Sequence, residues 1–223
     1  MRKLITTTAF FSLIMFISIG CTDDRDWITL QREAAKSLEN GDFVEAETLA
    51  KKALTKAENS IGKSHADVAH VHNTLAMVAY GKKEHDQVET HHLQALAIQE
   101  QALGEDNLEV GRTLTYLGDF FLSQNKLDEA VDIHERAHKI LVSTIGDQHP
   151  DVGRSINNLA RLYAAQSRLT KAASHHAQAL AILESSLGSD DPEVKMVVEN
   201  LAALYSDIVP SENTDTLQSA ETQ

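Results

Sequence analysis

Apolar positions along this chain recur at two nested periods. The shorter is helical: Val152, Ile156, Leu159, Ala160 and Tyr163 lie three or four residues apart, one stripe of a helix predicted from Pro150 to Gln166. A second helix, from about Leu169 to Ser186, sets Ala172, Ala179, Leu180 and Ile182 toward the same core. The longer period is 42 residues. It is marked by the pairs Ile61-Gly62, Leu103-Gly104, Ile145-Gly146 and Leu187-Gly188, each followed by a valine: Val68, Val110, Val152 and Val194. A fixed period of this size means one supersecondary unit stacked on itself. Four helix pairs are predicted, then a closing helix from Pro192 to about Ile208 whose Glu199 and Asp207 suit a capping role.

Small residues recur where such helices must cross closely. One column reads Ala34, Ala76, Gly118, Ala160 and Ala202; a second Ala46, Val88, Ala130 and Ala172; a third Ala53, Ala95, Ala137 and Ala179. Leu75, Leu117, Leu159 and Leu201 fill the space beside the first. Pro150 and Pro192 stand at first helical positions, where the N–H that proline lacks has no helical partner.

The run Asn157-Asn158-Leu159-Ala160-Arg161-Leu162-Tyr163, then Ala179-Leu180-Ala181-Ile182-Leu183-Glu184 and Leu187-Gly188, resembles the tetratricopeptide repeat. The 42-residue length and the glycine followed by His149-Pro150 are similar to the kinesin-light-chain subclass. The resemblance covers about residues 27–208. It implies an all-α, right-handed superhelical solenoid whose first helices line a concave groove for an extended peptide or a short helix. In that family an asparagine often grips the peptide backbone. The matching positions here hold Asn73, Thr74, Tyr116, Asn157, Asn158, Arg161 and Asn200, and a further column holds His70, Arg112 and Arg154. An amide offers a donor and an acceptor together, and a guanidinium offers a planar fork for carboxylates. The expected ligand is a protein segment or terminus bearing acidic groups.

The N-terminus reads differently. Arg2 and Lys3 precede an apolar stretch from Leu4 to Ile19, the layout of a secretory signal over residues 1–20. It ends at Ser18-Ile19-Gly20-Cys21, and Cys21 is the only cysteine, so no internal disulfide is possible. The segment resembles a bacterial lipobox, with Ser18 where leucine is usual. The resemblance implies cleavage after Gly20 and lipidation of Cys21. An uncleaved membrane anchor and an ordinary secretory signal are the alternatives. Two or three acyl chains anchor effectively permanently. Thr22, where aspartate would favour inner-membrane retention, points to the periplasmic side of an outer membrane, or to the outer face of the cell membrane where there is only one. Residues 21–26 then form a short tether, and the polar tail 209–223 is expected to be disordered.

Charge narrows the partner. The formal net charge is −13, from 33 Asp+Glu against 20 Lys+Arg, and removal of the leader takes away only Arg2 and Lys3. Such a field repels phosphate backbones, so no nucleic-acid partner is expected. His134-Glu135-Arg136-Ala137-His138 matches the zinc-peptidase pattern. However, His134 shares a column with His92 and His176, and Ala137 belongs to a packing column, which places the motif in a helix seam. The doublets His91-His92 and His175-His176 point about 100° apart on a helix and do not chelate one ion as neighbours. No phosphate loop, serine elbow or nucleophilic cysteine is present. The expectation is a binding module without catalytic residues, metal or cofactor. A zinc hydrolase built on His134, Glu135 and His138 is the alternative, and homo-oligomeric scaffolding through the capping helix a third reading.

Overall fold

The computed structural model describes residues 25–208; the leader, Cys21, most of the tether and the C-terminal tail lie outside them. The described chain is a row of nine α-helices: α1 (Trp27–Glu39), α2 (Phe43–Ile61), α3 (Ala66–Lys82), α4 (His85–Leu103), α5 (Leu108–Ser123), α6 (Leu127–Ile145), α7 (Pro150–Ala165), α8 (Leu169–Leu187) and α9 (Pro192–Ile208). Each odd helix packs antiparallel on the even helix after it, and the pairs stack in order. This is an all-α solenoid of four helix-turn-helix units with a closing helix. None of the described helices is long and apolar enough to cross a membrane.

Turn chemistry sets the period. Gly62, Gly104, Gly146 and Gly188 follow the four second helices with φ between 84° and 90° and ψ between 151° and 156°, a region open to glycine and strained for other residues. The backbone then enters the next first helix through a side-chain cap. Asn107 accepts from the Glu109 N–H at 2.9 Å, and His65 and His149 use ring Nδ1 on the N–H groups of Asp67 and Asp151. The turn inside each pair also needs one left-handed residue. Gly41, Lys83, Asn125 and Ser167 supply it, again 42 residues apart.

The small-residue columns lie in the seams. Ala46, Val88, Ala130 and Ala172, and Ala53, Ala95, Ala137 and Ala179, are all buried, as are Ala34, Ala76 and Ala160. Their size lets the backbones approach, and Tyr163, Leu30, Leu114, Leu117 and Leu183 fill the spaces between. Through Val194, Val197 and Leu204, α9 closes this core. No second helix follows it among the described residues, so Ala202, Val198 and Tyr205 on its outer side are exposed.

Candidate functional site

Contacts between like helices of successive pairs run through the first helices, α1 with α3 and α5 with α7. These helices therefore form the inner wall, along which separate hollows open between α1 and α7. Of the residues expected there, His70, Arg112, Tyr116, Arg154 and Arg161 are exposed on it, and Asn158 and Asn200 are half-buried. Asn73, Thr74 and Asn157 are buried instead.

Neighbouring side chains account for that difference. Asn73 Nδ2 donates to Thr113 Oγ1 at 2.8 Å, and Asn73 Oδ1 lies 2.9 Å from His92 Nδ1. Asn157 Oδ1 stands 2.8 Å from His176 Nδ1 in the same way. Thr74 Oγ1 donates to the His70 carbonyl and accepts from Gln31 Nε2. These groups satisfy one another in the seams and hold the groove wall in place.

The arginine column is not a line of free positive charge. Arg112 Nη1 bonds Glu109 Oε1 at 2.8 Å, and its Nη2 lies 4.0 Å from Asp151 Oδ2. Arg154 Nη1 bonds Asp151 Oδ1 at 2.6 Å, and its Nε bonds Glu193 Oε1 at 2.9 Å. The result is a ladder of alternating charge from α5 through α7 to α9, with the His70 ring on α3 at its end, Nδ1 3.8 Å from Glu109 Oε2. The carboxylates Asp67, Glu109, Asp151 and Glu193 form a column of their own, three residues before the basic one, and that signal was present in the repeat. Arg161, by contrast, is in no ion pair among the described residues.

Three hollows adjoin along the groove, and Tyr116 walls all of them. The most apolar, of about 510 Å³, lies between Phe43, Met77, Tyr80, Val88, Tyr116 and Phe120. A hollow of mixed lining, of about 590 Å³, is bounded by Gln31, His70, Asn73, Met77 and Arg112, and a third of about 200 Å³ by Arg112, Arg154 and Ser155. Tyr116 is held from beneath by His92, the two rings stacked with centroids 6.0 Å apart. Gly81 lets the Phe43 ring pack against α3 at the wall of the first hollow: a Cβ there would sit 2.2 Å from that ring. Phe120 belongs to an apolar column with Val78, Leu162 and Leu204, and Tyr80 to one with Leu38, Leu122 and Ala164; only Met77, in a column with Ala35, Asp119 and Arg161, breaks the repeat.

The zinc-peptidase pattern has no open cleft. His134 is fully buried against Gly118, Glu135 accepts a hydrogen bond from the Tyr163 hydroxyl at 2.9 Å, and His138 Nδ1 lies 2.8 Å from Ser155 Oγ. Among the described residues no group of three His, Cys, Asp or Glu side chains is placed to hold a metal ion. Burial, followed by the charge of the neighbouring His91, holds the imidazoles of His72 and His92 down to about 4. Burial also lowers His91, His138 and His176, so these rings are neutral packing groups at neutral pH.

The profile of the tetratricopeptide repeat matches residues 34–101, 67–143 and 109–185. No curated protein matches the chain by sequence. Among solved structures, BtubC (BKLC) from P. vanneervenii superposes with a TM-score of 0.72 at 25% identity, over 80% of this chain and 71% of that one. The nearly identical TPR-like repeats of the kinesin light chain type from Podosopora anserina superpose with a TM-score of 0.64 at 20% identity, over 82% and 97%. PilF of Pseudomonas aeruginosa superposes with a TM-score of 0.60 at 20% identity, over 81% and 68%. The last two likenesses bear on the fold alone.

Proposed function

Because the chain belongs to the tetratricopeptide repeat family, we propose that it is a lipid-anchored scaffold of the bacterial cell envelope that holds a segment of a protein partner in its groove. Protein–protein interaction is the coarser reading, and the fold supports it directly. The observation that carries the groove reading is the row of three adjoining hollows along the first helices, all walled by Tyr116. Asn158, Arg161 and Asn200 extend its wall toward the C-terminal end, and Asn73, Thr74 and Asn157 brace it from behind. A peptide crossing these helices meets a stacking ring, the half-buried amides of Asn158 and Asn200, and a charge ladder whose partners can exchange.

The anchor is Cys21, with the leader removed after Gly20 and the helical body held close to the membrane by residues 21–26. The compartment is the periplasmic face of an outer membrane, or the outer face of a single membrane. The acidic body favours this arrangement: the whole chain's −13 becomes −15 once Arg2 and Lys3 leave with the leader, which gives the body no attraction to anionic headgroups and leaves the lipid to do the attaching.

The full chain and a Tyr116→Ala/Asn158→Ala variant, each purified from gently solubilised envelopes, test the reading. A protein partner retained by the first and lost by the second, with equal helix content in both, is the expected result. A partner retained equally by both would overturn the groove assignment.

A further inference from the structure

If the groove is the binding site, its charge and shape together specify more than a peptide. Its arginines are already occupied: Glu109, Asp151 and Glu193 outnumber Arg112 and Arg154 along the ladder, so an incoming carboxylate must displace one already in place. Next to the ladder lies the apolar hollow of about 510 Å³, with Met77, Tyr80 and Tyr116 exposed on its walls. A pocket of this size and lining takes a large apolar side chain, and methionine beside aromatic rings adapts to its shape. At its rim stands Asp119, with a side chain 44% exposed. No lysine or arginine lies within ion-pair distance of Asp119 among the described residues. Its Oδ1 accepts from Asn158 Nδ2 at 3.2 Å and stands 3.4 Å from buried His134 Nε2.

We propose that the hollow receives a bulky apolar side chain of the bound segment, and that a lysine or arginine flanking it pairs with Asp119. The apolar anchor supplies affinity by filling a desolvated pocket near the middle of the groove, where the strongest contacts of an interface concentrate. The flanking cation finds a rim carboxylate that no described lysine or arginine engages, and the two tyrosines beside it offer ring faces that attract a cation. An acidic flank meets Asp119 with like charge. The preference is thus opposite in sign to the one suggested by the arginine column in the sequence.

Methyl NMR on the full chain in detergent micelles, labelled at the methionine methyls, reads this directly. Met77 lines the hollow; Met196, on α9, is an internal control at the far end of the ladder. Both signals are assigned by substitution to leucine. The probes are three capped peptides: Gly-Ser-Lys-Phe-Lys-Ser-Gly, Gly-Ser-Glu-Phe-Glu-Ser-Gly and Gly-Ser-Lys-Ala-Lys-Ser-Gly. The lysine–phenylalanine peptide is expected to shift Met77 but not Met196, at concentrations about fivefold lower than the glutamate peptide requires, the size of one exposed ion pair. The alanine peptide leaves Met77 in place, and Asp119→Asn abolishes the advantage of lysine over glutamate while keeping the need for phenylalanine. Tighter binding of the glutamate peptide at Met77 would overturn the proposed charge preference and leave the groove reading standing. A Met77 signal unmoved by all three peptides would overturn the anchor pocket. The groove reading itself falls only with the Tyr116→Ala/Asn158→Ala comparison.

Discussion

Asn73 Oδ1 lies 2.9 Å from His92 Nδ1 across the seam between α3 and α4, and two repeats later Asn157 and His176 make the same pair at 2.8 Å. The acceptor fixes the ring proton on Nδ1 in both. In the repeat between them Thr115 stands in the asparagine column and bonds its own helix at the Gly111 carbonyl, so His134 has no hydrogen-bond partner on either nitrogen. Replacing Asn73 by alanine orphans His92 and one bond of Thr113; it should cost about 1–3 kcal/mol in urea unfolding. Thr115→Asn should do the reverse, giving His134 its acceptor and raising stability by about 1 kcal/mol. No gain would mean that His134 is not limited by a missing acceptor.

Gly118 reports on the same histidine. A Cβ there would lie 2.6 Å from His134 Cδ2 and Nε2, although Ala76 and Ala160 occupy the equivalent places beside His92 and His176. The difference follows if asparagine draws the ring away from the small-residue column. Gly118→Ala alone should therefore cost about 1–3 kcal/mol through overpacking. The same change in a Thr115→Asn background should cost clearly less. Equal costs in both backgrounds, measured by denaturant unfolding, would show the two sites to be independent.

Acid should weaken the fold through its buried histidines. His72 and His92 titrate near 4 in the folded chain against 6.5 when free, so above pH 6.5 they are neutral in both states and cost nothing. As pH falls below 6.5 the unfolded chain binds protons that the folded chain refuses, and stability drops until about pH 4. Linkage gives a loss of roughly 1–1.5 kcal/mol for each at pH 5.5. His91, His138 and His176 shift the same way. Thermal unfolding at pH 7.5 and 5.5 should differ by several degrees, and His92→Gln should narrow the gap; equal midpoints would contradict this.

The turns within the pairs carry removable strain. Lys83 and Ser167 take φ values of 63° and 59°, where Gly41 serves in the first unit. Left-handed backbone costs a residue with a Cβ about 1–2 kcal/mol. Ser167→Gly recovers part of this against the extra freedom of glycine in the unfolded chain, and a gain of about 0.5 kcal/mol is expected. A loss of stability would show that the serine side chain supports the turn.

The helical body was largely legible in the sequence because its constraints repeat. Gly62, Gly104, Gly146 and Gly188 require the same backbone region, and a column such as Ala53, Ala95, Ala137 and Ala179 admits nothing large. Helix ends were readable to within a residue for the same reason: Pro150 and Leu187-Gly188 bound α7 and α8 chemically. The groove was less legible. Column position told which helix face Asn73 and Asn157 occupy, but not that each would find a histidine 19 residues on and turn inward. The arginine column suggests free positive charge until the acidic column three residues before it is set beside it, and only distances reveal that the two interlock. Phe120 and Tyr80 sit in apolar columns that read as ordinary core, and Met77 stands alone in a column with Asp119 and Arg161, so the apolar hollow emerges only from packing.

Photo-crosslinking in intact cells tests the central claim most directly, with the reactive residue placed in the full chain at Asn158 in the groove and, separately, at exposed Lys139 on the outer helix α6. One envelope protein should be captured at Asn158 through a single segment, absent at Lys139 and lost with Tyr116→Ala. Capture of the same protein at Lys139 and not at Asn158, from folded and membrane-bound chain, would contradict the groove as the binding site.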